Sequence, residues 1–463
     1  MTGFLRSILC STGNFATFGQ ASAFSLSQIL KTIDDPSVEI VSFDVYDTLL
    51  VRPVIEPADL FFLTALKLQK QRLSGDFIAS RKEAERLARR RMREQDPLRE
   101  EPTLDAIYEA LAEITGLSAR EVAGIKTVEL DNERRSLSGR KLIREIYEHA
   151  RQKGKRLIAV SDSYASRDFI WSVLQEEGFQ AIERVYVSSE FGRCKASGKL
   201  YSIVLEDLNI VGSKMLHLGD NLHSDVKRAQ DAGIRAAYIP SAVYTYFALR
   251  DFAKLWAQIG DDLPMESRLL LGMIINTCFD RPDKRQWKQG TLFNDDDHAF
   301  GYGYLGPILL LAQSTKCHSE IAPVGQWVQA TDDTDADTPA FVRMKNSANK
   351  FLADAEALLG DRLKNSLNFR NLCDILFRTV VHVHSASDKA LLGALPAINP
   401  SIKASVPVTL LPFCRRMELI ALRPLLGTRE YARLIVSRSS FFASTQNPAF
   451  KFYHRLHAKC RAG

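Results

Sequence analysis

The 463-residue chain holds no CxxC pair and no two histidines at zinc spacing. Its seven cysteines, Cys10, Cys194, Cys278, Cys317, Cys373, Cys414 and Cys460, are scattered. Neither a disulfide framework nor a zinc site is expected, and the thiols read as the reduced, structural ones of a cytoplasmic protein. Long apolar runs are missing too. Leu269 to Ile275 and Ile308 to Ala312 fall far short of the roughly 20 residues that span a bilayer, so no integral membrane segment is expected. Leu5 to Cys10 is too short for a signal-peptide core and is broken by Arg6. Internal repeats and low-complexity tracts are absent. Charge of one sign is scarce: 61 Lys and Arg against 55 Asp and Glu leave +6. Over this length that does not argue for a nucleic-acid partner.

What is present is the composition of a globular protein, 46% hydrophobic and 25% charged, on a chain too long for one domain. Residues 1–24 have no clear periodicity and read as a poorly ordered lead-in. Val38 to Leu50 is the stretch the rest is organised around. A β-branched apolar run ends there in Asp44, Asp47 and Thr48, as a buried parallel strand does where it opens into a site. Residues 54–150 turn helical, with apolar spacing such as Leu104, Ile107, Tyr108 and Leu111. Strands then alternate with helices. Strands are expected at 156–162, 184–189, 214–220 and 235–240, and helices at 165–178, 199–208 and 223–232. That alternation predicts parallel βαβ units and a three-layer α/β/α core. From 264 onward helical patterns dominate. The last fifty residues are basic, including Arg415, Arg416, Lys451 and Arg455. Such a run is ordinarily a solvated face, and otherwise a patch for an anionic or protein partner.

Four strand ends carry polar groups in order: Asp44 with Thr48, Ser161, Lys195, and Asp220 with Asp225. Singly, each has an ordinary explanation, since a strand-end Asp or Ser often caps the next helix. Together they resemble the haloacid dehalogenase-like hydrolase superfamily. The motifs are Phe43-Asp44-Val45-Tyr46-Asp47-Thr48-Leu49, Ser161 after Leu157-Ile158-Ala159-Val160, Lys195 after Gly192-Arg193-Cys194, and Gly219-Asp220-Asn221-Leu222-His223-Ser224-Asp225. The resemblance covers about 38–241. The first motif, with Gly301-Tyr302-Gly303-Tyr304-Leu305-Gly306-Pro307, also resembles bacterial predicted hydrolases found alongside surface-polysaccharide glycosyltransferases.

The resemblance implies a Rossmann-like core over 25–53 and 151–262. The helical insertion at 54–150 would be a type 1 cap, while 264–463, beyond the resemblance, reads from its helical patterns as a second, mostly helical domain of unassigned role. The resemblance implies Asp44 as nucleophile toward a small phosphorylated metabolite. A Mg²⁺ would be held by Asp44, the Tyr46 carbonyl and Asp220, easing the approach of carboxylate to phosphate. Ser161 would bind phosphoryl oxygens, Lys195 would neutralise charge, and Asp225 would orient Lys195 or the metal's water. Lys199 is a weaker substitute for Lys195. On the substrate side fall Asp162, Thr48, which would hold the loop geometry, and Arg52, an anion contact. The arginines of 81–91 read mainly as a charged helix face with i,i+4 partners.

One residue departs from the phosphatase pattern. Two places after the nucleophile stands Tyr46 where an acid–base Asp is usual. A phenol near pKa 10 would need a shift of roughly three units, about 4 kcal/mol, to serve. Asp47 is expected to take a turn glycine's place, pointing away from the Asp44 side. Tyr at this place also suits a metal-independent 2-haloacid dehalogenase, whose leaving halide takes no proton. The acidic fourth motif speaks against that, because unneutralised carboxylates would oppose a carboxylate substrate. A third reading is a weakened core serving as scaffold.

Overall fold

The computed structural model describes residues 24–69, 76–247, 263–282, 297–307, 310, 339–360 and 363. The lead-in up to residue 23 and the basic last fifty residues lie outside these, as do the acidic stretch at 332–338, whose composition suggests a loop, and the segments at 367–384 and 412–426, whose spacing predicts helices. The described residues fall into two compact units that divide between Arg285 and Gln286.

The first unit is built on five parallel strands: β1 (Ile40–Phe43), β4 (Arg156–Ser161), β5 (Ile182–Val187), β6 (Met215–Gly219) and β7 (Arg235–Tyr238). Their order is β5-β4-β1-β6-β7, so β1 is central. Pairing is parallel throughout, from Ile40 beside Arg156 and Met215 to Leu218 beside Ala237. Alternation along β4 shows why these runs are apolar at every position. Leu157 and Ala159 face one core and Ile158 and Val160 the other, all within 1% of complete burial. On the first face pack α1 (Leu26–Asp34), α6 (Lys141–Gln152) and α7 (Arg167–Glu176). On the second pack α9 (Lys199–Leu208) and α10 (Arg228–Asp231). The chain leaves β1 for β4 on one side and later for β6 on the other. The carboxyl end of β1 is therefore the switch point where a doubly wound sheet leaves a crevice.

A short ribbon, β2 (Leu50–Val51) against β3 (Ser138–Gly139), carries the chain out of the sheet and back. Between its strands lie α2 (Phe61–Gln69), α3 (Phe77–Gln95), α4 (Leu104–Thr115) and α5 (Ala119–Ser136). Asp76, Thr103 and Ser118 cap the last three through their side chains, each worth about 1 kcal/mol. These helices share an apolar core of their own. Within it Arg81 is fully buried, forked onto Glu129 at 2.9 and 3.0 Å, and Tyr108 donates to Glu129 at 2.8 Å. The arginine expected on a solvated face is thus a structural ion pair of the cap.

Two expected boundaries move. The helical pattern predicts a cap that reaches residue 150, but α6 buries Leu142, Ile143, Ile146, Tyr147 and Ala150 on the sheet, so it belongs to the core. The fading of strand signals predicts a second domain that starts at 264. Helix α12 (Met265–Cys278) instead packs in the first unit: a Cβ on Gly272 would lie 2.6 Å from the Val54 Cα. Loss of strand signals after 240 marked the end of the sheet, not the end of the unit.

In the second unit α13 (Asp297–Phe300) leads into a π-turn at Gly301–Leu305, and both pack on α14 (Pro339–Leu359). Tyr302 donates to Asp354 at 2.8 Å, and a Cβ on Gly306 would strike Phe351 at 2.6 Å. The Gly-Tyr-rich motif is therefore a close helix contact. Among the described residues no helix is long and apolar enough to cross a membrane.

Candidate active site

The groups singled out at the four strand ends gather beyond the carboxyl edge of the sheet. Asp44 follows β1, its amide donating to the Leu218 carbonyl at 2.8 Å. Lys195, only 2% exposed, donates to the carboxylates of Asp44 and Asp225, the second at 2.7 Å. Oxygens of Asp44, Asp220 and Asp225 all lie within 4.8 Å of one another. Lys199 points elsewhere, to Glu100 at 2.6 Å. Gly219 is required for this closeness: a Cβ there would stand 2.4 Å from the Asp225 carboxyl carbon.

The charges are uneven. Burial pushes Asp44 up to about 7, with Lys195 pulling down and Asp225 pushing up. Burial, then the charges of Asp47, Asp44 and Asp225, hold Asp220 well above the usual carboxylate range. Burial alone would raise Asp225 too, but Lys195 and His217 hold it low. The same two carboxylates raise Lys195 further against its burial. Three carboxyl groups around one ammonium form a crowded acidic pocket of hard oxygen donors, two of them holding their protons more tightly than an ordinary carboxyl. That donor set fits a divalent cation such as Mg²⁺.

Two hydroxyls stand out. Ser161 Oγ and Thr48 Oγ1 are buried and have no hydrogen-bond partner among the described residues. An unmade buried hydrogen bond costs about 1–3 kcal/mol, and these two fall at motif positions of the site, whereas Gln175 Nε2 and Ser267 Oγ, also buried without a partner, do not. Thr48 does not hold the loop, as was expected of it. Asp47 to Leu50 at 2.7 Å, Leu50 to Val45 at 2.8 Å and Arg140 to the Asp47 carbonyl at 2.8 Å do so. Asp162 was expected on the substrate side. Its two oxygens instead accept the amides of Lys195 at 2.7 Å and Ala196 at 3.1 Å, fixing the turn that aims Lys195.

Asp47 has φ 58°, the left-handed conformation expected of a residue in a glycine's place. Its charge nonetheless acts on Asp220. Strand alternation does not govern it, because β1 already ends at Phe43. Burial, then Glu133, push the Tyr46 phenol above its ordinary value, away from that of a base. Arg52 lies 4.1 Å above the Tyr46 ring and 3.4 Å from Glu133 of the cap. The expected anion contact is thus held in an ion pair next to the site.

Sequence reasoning missed several supports. Ser42 Oγ lies 2.9 Å from His217 Nδ1, beneath Asp225, with both side chains fully buried. Glu100 of the cap accepts the Cys194 amide at 2.8 Å and Ser197 Oγ at 2.6 Å, gripping the Lys195 turn. A polar residue inside an apolar strand, as at 42 and 217, was the available signal for the first; nothing marked the second.

Residues 38–233 match the family model of the haloacid dehalogenase-like hydrolases. No curated protein matches the chain. Among solved structures, a predicted phosphoglycolate phosphatase from Haemophilus somnus 129PT is 12% identical. That alignment covers 45% of this chain and 92% of the other, at a TM-score of 0.31. A 2-haloacid dehalogenase from Pseudomonas syringae pv. Tomato DC3000 is 19% identical, covering 43% and 86%, at 0.34. A hydrolase of the same family from Xanthomonas campestris is 14% identical, covering 44% and 83%, at 0.30. Scores this low carry no weight of their own, and the assignment rests on the family match. Residues 38–233 of the chain form a haloacid dehalogenase-like hydrolase domain.

Proposed function

We propose that the domain is a Mg²⁺-dependent phosphohydrolase or phosphotransferase acting on a small phosphorylated metabolite through Asp44. The observation that carries this is the surplus of acid around the single ammonium of Lys195. A site built for a carboxylate-bearing substrate would avoid that surplus; a cation site for phosphate uses it. Asp44, the Tyr46 carbonyl and Asp220 would hold the ion. Bound there, it would offset the repulsion between the Asp44 carboxylate and a phosphate dianion.

The protein's own groups do the rest. An Asp44 oxygen attacks phosphorus as the bond to the leaving oxygen breaks, giving an aspartyl-phosphate. Water then attacks phosphorus, the Asp44 oxygen departs, and inorganic phosphate is released; an acceptor alcohol in place of water gives transfer. Lys195 offsets charge on the transferring group, and Asp225 holds Lys195 in place. The unpartnered hydroxyls of Ser161 and Thr48 are donors ready for phosphoryl oxygens. Arg52 would contact a second anionic group of the substrate by leaving Glu133.

Tyr46, raised and engaged with Ser163, supplies no proton to the leaving group. Good leaving groups are therefore favoured: acyl, aryl or anhydride phosphates. The test compares acetyl phosphate and p-nitrophenyl phosphate with alkyl sugar phosphates, in Mg²⁺ and in EDTA. Faster turnover of the alkyl esters would remove the leaving-group argument. Tyr46 is also what favours the second reading, a metal-independent 2-haloacid dehalogenase; halide release from chloroacetate in EDTA would establish it instead.

A further inference from the structure

Arg140 is the first residue after the ribbon strand β3, and its side chain is completely buried. Burying a guanidinium is costly unless every charge and donor is matched. Here the matches lie at three separate places. Nη1 donates to the Asp47 carbonyl at 2.8 Å, in the turn that follows Asp44. Nη2 donates to the Pro240 carbonyl at 2.6 Å, beyond β7. Nε donates to the Asp280 carboxylate, whose other oxygen accepts the Leu142 amide at 3.1 Å, at the start of α6. The Arg140 charge also acts on Asp220.

Asp280 lies two residues past α12, outside the segment that matches the hydrolase family. The rest of α12 leans on the chain leaving for the cap. Gly272 sits against Pro53 and Val54, Asn276 donates to the Val54 carbonyl at 3.3 Å, and Arg268 donates to Asp59 at 2.8 Å. One segment thus grips the outgoing cap linker through α12 and the returning one through Asp280 and Arg140.

We infer that Asp280, acting through Arg140, is a positioning residue of the Asp44 site, fixing the left-handed turn at Asp47 and the root of the cap. No part of this pair need touch substrate. The turn between Val45 and Leu50 carries the Tyr46 carbonyl and Thr48. Without the Arg140 side chain at the Asp47 carbonyl, the turn keeps its two internal bonds and, beyond them, the Arg140 backbone amide on the Leu49 carbonyl at 2.9 Å, so among the described residues nothing but the ribbon holds its backbone from outside. Asp280→Asn keeps size and shape but removes the charge that makes the guanidinium's burial tolerable. Arg140→Lys keeps the charge and loses the three-way fork.

The inference rests on the phosphohydrolase reading for its kinetic arm only. Both variants and wild type are assayed with p-nitrophenyl phosphate and Mg²⁺, and by amide hydrogen exchange. For Asp280→Asn the expected result is a kcat at least tenfold lower with KM within threefold. Exchange should quicken in peptides spanning 44–51 while β1, β4 and β6 stay protected. Arg140→Lys should fall in the same direction. Wild-type kcat in Asp280→Asn, or unchanged exchange over 44–51, overturns the inference. So does loss of protection throughout the sheet in step with lost activity, which would make the pair a brace and nothing more. If wild type itself turns over no phosphate ester, the function reading fails. The exchange comparison then decides the positioning role on its own.

Discussion

At the scale of single residues, Tyr46 and Asp47 are where the chain departs from the phosphatase motif. Burial raises the Tyr46 phenol, and Arg52 stacked on its ring serves packing as much as charge. Tyr46→Phe should therefore leave acetyl phosphate turnover within about threefold of wild type between pH 6 and 8, with no limb of the pH–rate profile displaced. A shifted limb would show that the phenol takes part in proton transfer. Asp47 is a different case, held at φ 58° where side chains other than Gly, Asn and Asp pay about 1–2 kcal/mol. Asp47→Gly should hold or slightly raise stability in urea unfolding, while Asp47→Val should lose about 2 kcal/mol. Equal stabilities would mean the turn relaxes to another conformation.

At the scale of elements, each strand delivers its group because its run is apolar to the last position and then stops. That is why Asp44, Ser161 and Asp220 could be read from sequence: an abrupt change from β-branched to polar is local information. Lys195 was legible only by its place in the order, as an ordinary loop lysine would look the same. The ribbon β2–β3 was not legible, since two residues carry no period. Nor were Arg140, Asp280, Glu100 and Glu133, because a charged residue amid helices has the appearance of a solvated one until its partner, here up to 140 residues away, is seen. The boundaries at 150 and 264 failed for a related reason. Amphipathic spacing shows that α6 and α12 bury a face, but not which surface receives it. The link from β6 to its following turn gives a test at this scale. Asp225, which accepts the Asn221 amide at 2.9 Å, closes onto Gly219 so tightly that Gly219→Ala must displace its carboxylate. A cost of about 1–3 kcal/mol is expected from overpacking, with activity falling further than stability because Lys195 loses its second anchor. Stability lost with activity retained in the folded fraction would show that Asp225 is dispensable to Lys195.

At the scale of the whole molecule, the acidic pocket ties stability to pH and, on the proposed reading, to the cation as well. Asp44 and Asp220 have folded values raised above the unfolded one near 3.8, chiefly by burial. The folded state then binds more protons than the unfolded state between those values. What these two contribute to stability is therefore fully present below about pH 4 and is lost as pH rises, for Asp44 through about 7. Asp225 has the opposite sign. Its lowered value gives stability that is present above 3.8 and lost only on acidification, so it is constant from pH 5 to 8. In EDTA the unfolding temperature should accordingly fall from pH 5 to 8 more steeply in wild type than in Asp220→Asn, where one raised group is gone. On the proposed reading Mg²⁺ would bind the ionised carboxylates, so it would release protons, and its affinity would rise over the same interval. A hundredfold excess over Kd stabilises the folded state by about 2.7 kcal/mol. The Mg²⁺-induced rise in Tm should hence be larger at pH 8 than at pH 5 and should be lost in Asp220→Asn. Calorimetry in two buffers of different protonation enthalpy should register the proton release directly. A rise that is equal at both pH values, or that survives Asp220→Asn, would place the cation somewhere other than beside Asp44.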